Sequence, residues 1–162
     1  MILYIVRHAI AEAQGVTDAE RELTKEGIEK MEKAAAGLRS LGIAPELILT
    51  SPYVRARQTA EILVNMVSAR PSLKETPALV PHGNRAELYR EILKQDGIGE
   101  IMLVGHQPSL GKIAGEIAWG SAEHALDLKK GGACAIEIDK VTASPRGILL
   151  WFMPPAILRK LA

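Results

Sequence analysis

The chain has 162 residues, 48% of them hydrophobic and 24% charged, with a formal net charge of +1. That length suits one domain spanning residues 1–162 with a single full core, and the composition excludes a fibrous repeat or a disordered chain. The near-zero charge balance argues against nucleic acid as a partner while leaving room for a local basic pocket, and the lone cysteine, Cys134, allows neither an intrachain disulfide nor a multi-cysteine metal cage.

Ile2 to Val6 is a short apolar, β-rich run and reads as a buried strand. It precedes the first positive charge, Arg7, which is the reverse of a signal peptide. No segment reaches the ~18 apolar residues of a membrane span. The expectation is a soluble, cytoplasmic protein with no membrane partner. Ala9 to Leu23 mixes Gly, Asp and Glu without period and reads as a loop. Thr24 is the expected N-cap of a helix carrying Ile28, Met31, Ala35, Leu38 and Leu41 at helical spacing, stopped by Gly42. Leu47 to Leu49 is a second buried strand, ending at Thr50-Ser51-Pro52. The helix after it puts Thr59, Ile62, Leu63, Met66 and Val67 on its inner face. Turns fall at Arg70-Pro71 and Thr76-Pro77, and Leu79-Val80 reads as either a strand or a loop. Leu88, Tyr89, Ile92 and Leu93 mark a further helix, ended by Gly97 and Gly99. Ile101 to Val104 is a third strand, closed by Gly105-His106-Gln107-Pro108. A helix starting near Pro108 buries Leu110, Ile113, Ala114 and Ile117. Ala133 to Ile138 and Gly147 to Phe152 read as two strands joined by a polar turn, and a short helix follows from Pro155.

This alternation implies an α/β fold: a three-layer α/β/α sandwich with a mostly parallel sheet, in one domain. Such sheets bind ligands at the carboxyl ends of their strands. Three strands of this reading end in groups of one chemical kind: Arg7-His8, Ser51 to Arg55, and Gly105-His106. If these strands are parallel neighbours, two arginines and two histidines converge on one sheet edge. Guanidinium forks suit phosphate oxygens, and a neutral imidazole is a competent nucleophile toward phosphorus. The arginine charges disfavour the imidazolium and keep one histidine neutral. The other, if protonated, donates to a phosphoryl oxygen. With cations supplied by side chains, no metal and no cofactor are expected, and the clustered carboxylates of a magnesium site are lacking.

The motifs at these positions resemble the histidine phosphatase superfamily, the phosphoglycerate mutase-like fold, and most of all its short SixA-type phosphohistidine phosphatases. They are Val6-Arg7-His8-Ala9; the stretch Asp18 to Gly27, with Arg21, Leu23 and Thr24 at the matching places; Thr50 to Ala60; and Val104 to Pro108. Each alone is weak, but four in order are specific. The resemblance implies that His8 is the nucleophile that becomes phosphorylated. It implies that Arg7 and Arg55 grip the phosphoryl oxygens, that His106 completes the pocket, and that Arg21 lies near its mouth. Ala9 departs from the usual glycine, a minor change unless that position needs positive φ.

The chain has little room between Arg70 and Gly99 for the inserted helical segment that carries a general acid in mutases and many phosphomonoesterases of the superfamily. Glu87 is the nearest candidate acid, with His82 behind it. A phosphoramidate bond needs less help from an acid, which points to phosphohistidine on a signalling protein, such as a histidine phosphotransfer domain. The alternatives are a small-molecule phosphomonoesterase acting on a small phosphate ester, and a phosphate-binding module without catalysis. Arg21 also reads as a brace paired with Asp18 or Glu22, Glu87 as a solvated helix face, His82 as a loop residue and Cys134 as core. Lys129 and Lys130 read as surface charge, with docking of an acidic partner as a second reading.

Overall fold

The computed structural model describes residues 1–67, 69–140 and 142–162. Six strands form one sheet: β1 (Ile2–Arg7), β2 (Leu47–Thr50), β3 (Ser72–Glu75), β4 (Glu100–Gly105), β5 (Ala133–Ile138) and β6 (Gly147–Met153). Their order across the sheet is β3-β2-β4-β1-β5-β6. The first four are mutually parallel, and β5 and β6 run antiparallel at one edge. Five helices connect them: α1 (Lys25–Ser40), α2 (Val54–Met66), α3 (Arg85–Leu93), α4 (Ser109–Trp119) and α5 (Pro155–Leu158).

The side-chain period of two along a strand divides the core. Leu3, Ile5, Leu47, Leu49, Ile101 and Leu103 pack with Leu88, Ile92 of α3 and Ile113, Ile117 of α4. Tyr4, Val6, Ile48, Met102 and Val104 pack with Met31, Leu38 of α1 and Ala60, Leu63 of α2. Both faces of the parallel strands are therefore covered, which is why their sequences are near-continuous apolar runs without alternation. The expected three-layer sandwich is the observed one.

The differences lie where a short sequence window carries little signal. β3 is not anticipated by the sequence pattern, because Ser72-Leu73-Lys74-Glu75 is exposed along its whole length and pairs only with β2. An edge strand of this kind has no buried face to imprint an apolar pattern. Leu79-Val80 is not a strand; Pro77–Leu79 is a 3₁₀ turn capped by Thr76. A second 3₁₀ turn, Asp18–Glu20, interrupts the loop expected from Ala9 to Leu23. On α1 the buried stripe is Gly27, Met31, Ala34, Ala35 and Leu38, while Ile28, Leu41 and, on α3, Leu93 face outward. Thr24 is the N-cap of α1, accepting the Gly27 amide at 2.9 Å.

Candidate active site

The register of the sheet builds the site. Arg7 stands opposite Gly105 on β1 and β4, and Thr50 stands opposite Val104 on β2 and β4. The next residue in each strand is therefore level with the others: His8 donates its amide to the Gly105 carbonyl at 3.0 Å, and Ser51 donates its amide to the Val104 carbonyl at 3.0 Å. The chain order of the strands crosses at this point, and open α/β sheets bind ligands at the carboxyl ends of the strands beside such a crossing. The imidazoles of His8 and His106 meet there, with ring centroids 5.0 Å apart and the planes tilted by 55°.

α2 delivers the second arginine. Arg55 is only 4% exposed, so its guanidinium is a buried cation that needs partners. Its Nε points at His8 Nε2 at 3.3 Å. Its Nη1 and Nη2 donate to the carbonyl (2.6 Å) and carboxylate (3.2 Å) of Asp18. Thr59, one turn on, ties the helix to the strand: its hydroxyl donates to the Arg55 carbonyl at 2.7 Å and accepts the Ala9 amide at 3.1 Å. α1 closes in from the other side. A Cβ on Gly27 would sit 2.1 Å from the Ile10 carbonyl oxygen, so the first turn of α1 can press against the segment after His8 only with glycine there. Ala9 itself is not among the residues with positive φ, and alanine fits where the superfamily has glycine.

The hydrogen bonds set the imidazole states. His8 Nδ1 lies 2.7 Å from the Ala9 carbonyl. A carbonyl only accepts, so Nδ1 carries the hydrogen and Nε2 keeps a lone pair, aimed at the Arg55 guanidinium. Burial is the largest cause holding His8 neutral, its pKa pushed down to about 4, and the charges of Arg55 and Arg7 act in the same direction. His106 is lowered to about 3, again first by burial, then by His8 and Arg55. Burial and the neighbouring cations thus favour the neutral form of both rings near pH 7, so a donor role for either ring comes from its tautomer rather than from an added proton. His106 Nε2 is 2.8 Å from the Ser51 hydroxyl, which also accepts the Tyr53 amide at 3.2 Å. The Tyr53 ring meets His106 edge-on at 5.2 Å and lies 5.3 Å from the Arg55 guanidinium carbon.

Two buried polar atoms lack a partner among the described residues: His106 Nδ1 and Arg7 Nε. Arg7 spends Nη1 on the Leu128 carbonyl at 2.8 Å. Unpaired buried polar atoms are costly unless a ligand takes them up.

Arg7, His8, Arg55 and His106 are thus one cluster at the carboxyl ends of the parallel strands. Arg21 stands one step out: it bonds the Glu12 carbonyl at 2.6 Å and the Asp18 carboxylate at 3.0 Å, and so braces the residue that holds Arg55. Glu87 and His82 are exposed and form no hydrogen bond to the cluster among the described residues. His82 occupies a turn at φ 61°. Sequence reasoning passed over Asp18, Ser51, Tyr53 and Thr59 as site residues, although all four lie inside the matched motifs.

The profile of the Histidine phosphatase superfamily (branch 1) matches residues 3–91, and a protein of Picosynechococcus sp. is 40% identical over 136 residues, 82% of each chain. The chain belongs to the histidine phosphatase superfamily. Within that superfamily it is 26% identical over 161 residues to the phosphohistidine phosphatase SixA of Escherichia coli (strain K12), covering 98% of this chain and 97% of that one. Its fold superposes on the structure of the protein histidine phosphatase SixA complexed with tungstate with a TM-score of 0.87 at 25% identity, over 98% of this chain and 99% of the other.

Proposed function

We propose that this protein dephosphorylates phosphohistidine on a protein, such as a histidine phosphotransfer domain, in two steps through a phosphoenzyme on His8. The observation that carries this reading is the His8 Nε2 lone pair lying within 3.3 Å of the Arg55 guanidinium, in a cluster that also holds two unpartnered buried nitrogens, Arg7 Nε and His106 Nδ1. In the first step Nε2 attacks phosphorus, the substrate N–P bond breaks, and a new N–P bond forms on His8. Arg55 and Arg7 share the charge of the equatorial phosphoryl oxygens, so the side chains provide the cations without a metal. When the Ser51 hydroxyl donates to Nε2, His106 carries its hydrogen on Nδ1, and that otherwise unpartnered nitrogen is free to donate to a phosphoryl oxygen. In the second step water attacks phosphorus, the His8 N–P bond breaks, inorganic phosphate leaves, and Nε2 recovers its lone pair. The tungstate in the similar SixA structure is a tetrahedral oxyanion, the shape such a pocket would hold.

The carboxylate nearest this cluster favours phosphohistidine over a small phosphate ester. Asp18 is bound by Arg21 and Arg55, and their hydrogen bonds hold its carboxyl below the usual range. An ionised carboxylate cannot protonate an alkoxide. A leaving imidazole does without strong acid help.

The test is rapid quench with histidine-phosphorylated protein in EDTA, followed by a panel of phosphohistidine peptide, phosphoserine peptide and sugar phosphate. The expected result is an acid-labile phosphoenzyme that is absent in His8→Ala, and turnover confined to the N–P substrate. Turnover by His8→Ala would overturn the mechanism, and preference for the phosphate esters would overturn the substrate.

A further inference from the structure

A cleft of about 390 Å³ lies against the site on the α1 and α5 side, sharing Arg7 as a wall. Its rim holds five cations: Arg7, Lys30, Lys129, Lys130 and Arg159. No carboxylate lines it. Glu26 pairs with Lys30, and Asp127 with Lys129 at 2.5 Å, from outside the lining. Lys130 and Arg159 have no carboxylate within 4.0 Å among the described residues. In a chain of net charge +1, this is a concentration of positive charge in one place.

Two features make the cleft more than a patch of surface lysines. The loop that carries Lys129 and Lys130 is fastened to the nucleophile, because the Gly131 amide is shared between the carbonyls of Arg7 (3.1 Å) and His8 (3.2 Å). The cleft is also lined by buried Met31 and half-buried Ile10 and Pro155, whereas Lys129 and Lys130 are exposed. A polyphosphate or nucleic-acid backbone would leave that apolar floor unused. Acidic side chains on a polypeptide would use both, with carboxylates at the rim and aliphatic stems below.

We propose that this cleft docks an acidic segment flanking the phosphohistidine of a protein substrate, with Lys129, Lys130, Lys30 and Arg159 as its rim. The proposal rests on the phosphohistidine reading above. Charges at a rim act chiefly on encounter and on its salt dependence.

The experiment uses three substrates: N-phosphohistidine peptides flanked by Glu or by Gln at the same positions, and free N-phosphohistidine. They are tested with the native chain and with the Lys129→Glu/Arg159→Glu variant. The Glu peptide should exceed the Gln peptide in kcat/KM by about tenfold at low salt. That preference should vanish in the variant and in about 0.5 M salt. Turnover of free N-phosphohistidine should be conserved in the variant, which also certifies its fold. Equal kcat/KM on the two peptides, or a preference that survives in the variant, overturns the docking site. Failure of the native chain to hydrolyse any of the three N-phosphohistidine substrates would instead overturn the parent reading. In that event, anisotropy with the unphosphorylated, fluorescent Glu peptide still decides the cleft: binding lost in the variant supports it, and no binding, or displacement only by polyphosphate, refutes it.

Discussion

Thr59→Val isolates one hydrogen bond that joins the nucleophile's strand to the arginine's helix. Thr59 is fully buried, and its hydroxyl is the acceptor for the Ala9 amide at 3.1 Å. Valine keeps the branched shape, so no cavity opens and the loss is confined to polar groups. The Arg55 carbonyl loses its 2.7 Å bond from the hydroxyl but keeps its place in the helical ladder. The Ala9 amide is left buried without an acceptor, a penalty of about 1–3 kcal/mol. With a urea slope of roughly 2 kcal/mol/M for a domain of this size, the unfolding midpoint should fall by roughly 0.5–1.5 M. Since Ala9 follows His8 directly, and its carbonyl fixes the His8 tautomer at 2.7 Å, phosphoenzyme formation should slow about tenfold or more. Thr59→Ser, which restores the hydroxyl, should recover most of both losses. The assays are urea unfolding followed by circular dichroism, and single-turnover quench. A Thr59→Val protein with native midpoint and native phosphorylation rate would refute the claim that this hydroxyl holds the nucleophile in place.

Ser51→Ala removes the only side-chain partner of His106 Nε2 among the described residues; kcat should drop about tenfold while the fold persists, and an unchanged kcat would show that His106 is oriented by something else. Labelled-imidazole NMR should place the His8 midpoint at about 4 and the His106 midpoint at about 3, and midpoints near the ordinary value of about 6.5 would contradict the burial argument. Because both folded values lie below the unfolded one, the unfolded chain binds more protons between them. The histidine contribution to stability is therefore complete above about pH 6.5, is lost as pH falls toward the folded values, and should appear as a falling urea midpoint over that window. Gly27→Ala would drive a Cβ to 2.1 Å from the Ile10 carbonyl; the expected cost is about 1–3 kcal/mol of stability with weakened phosphate binding, checked by urea unfolding and by product inhibition.

Local sequence carries much of this molecule because much of it is locally determined. The buried strands β1, β2 and β4 are continuous apolar runs, and α4 buries Leu110, Ile113, Ala114 and Ile117 as its spacing predicts. Arg7, His8, Arg55 and His106 stand out in the sequence because each follows a strand or opens a helix, where apolar residues would otherwise be expected. By itself, then, the sequence determines the layer order, the strand ends and the polar groups placed on them.

Tertiary structure alone decides what those groups do to one another. The crossing of β4 between β1 and β2 brings residues 8 and 106 side by side across nearly a hundred positions, and no local pattern encodes that register. The partner of Arg55 is Asp18, 37 positions away, and although Asp18 opens a recognisable motif nothing local pairs it with Arg55. The neutrality of both imidazoles follows from burial, a property of the assembled interior and not of any residue. β3 exists only because β2 offers it an edge to pair with. Hydrogen bonds, desolvation and edge pairing are relations between distant segments, so they come into being only when the chain has closed on itself.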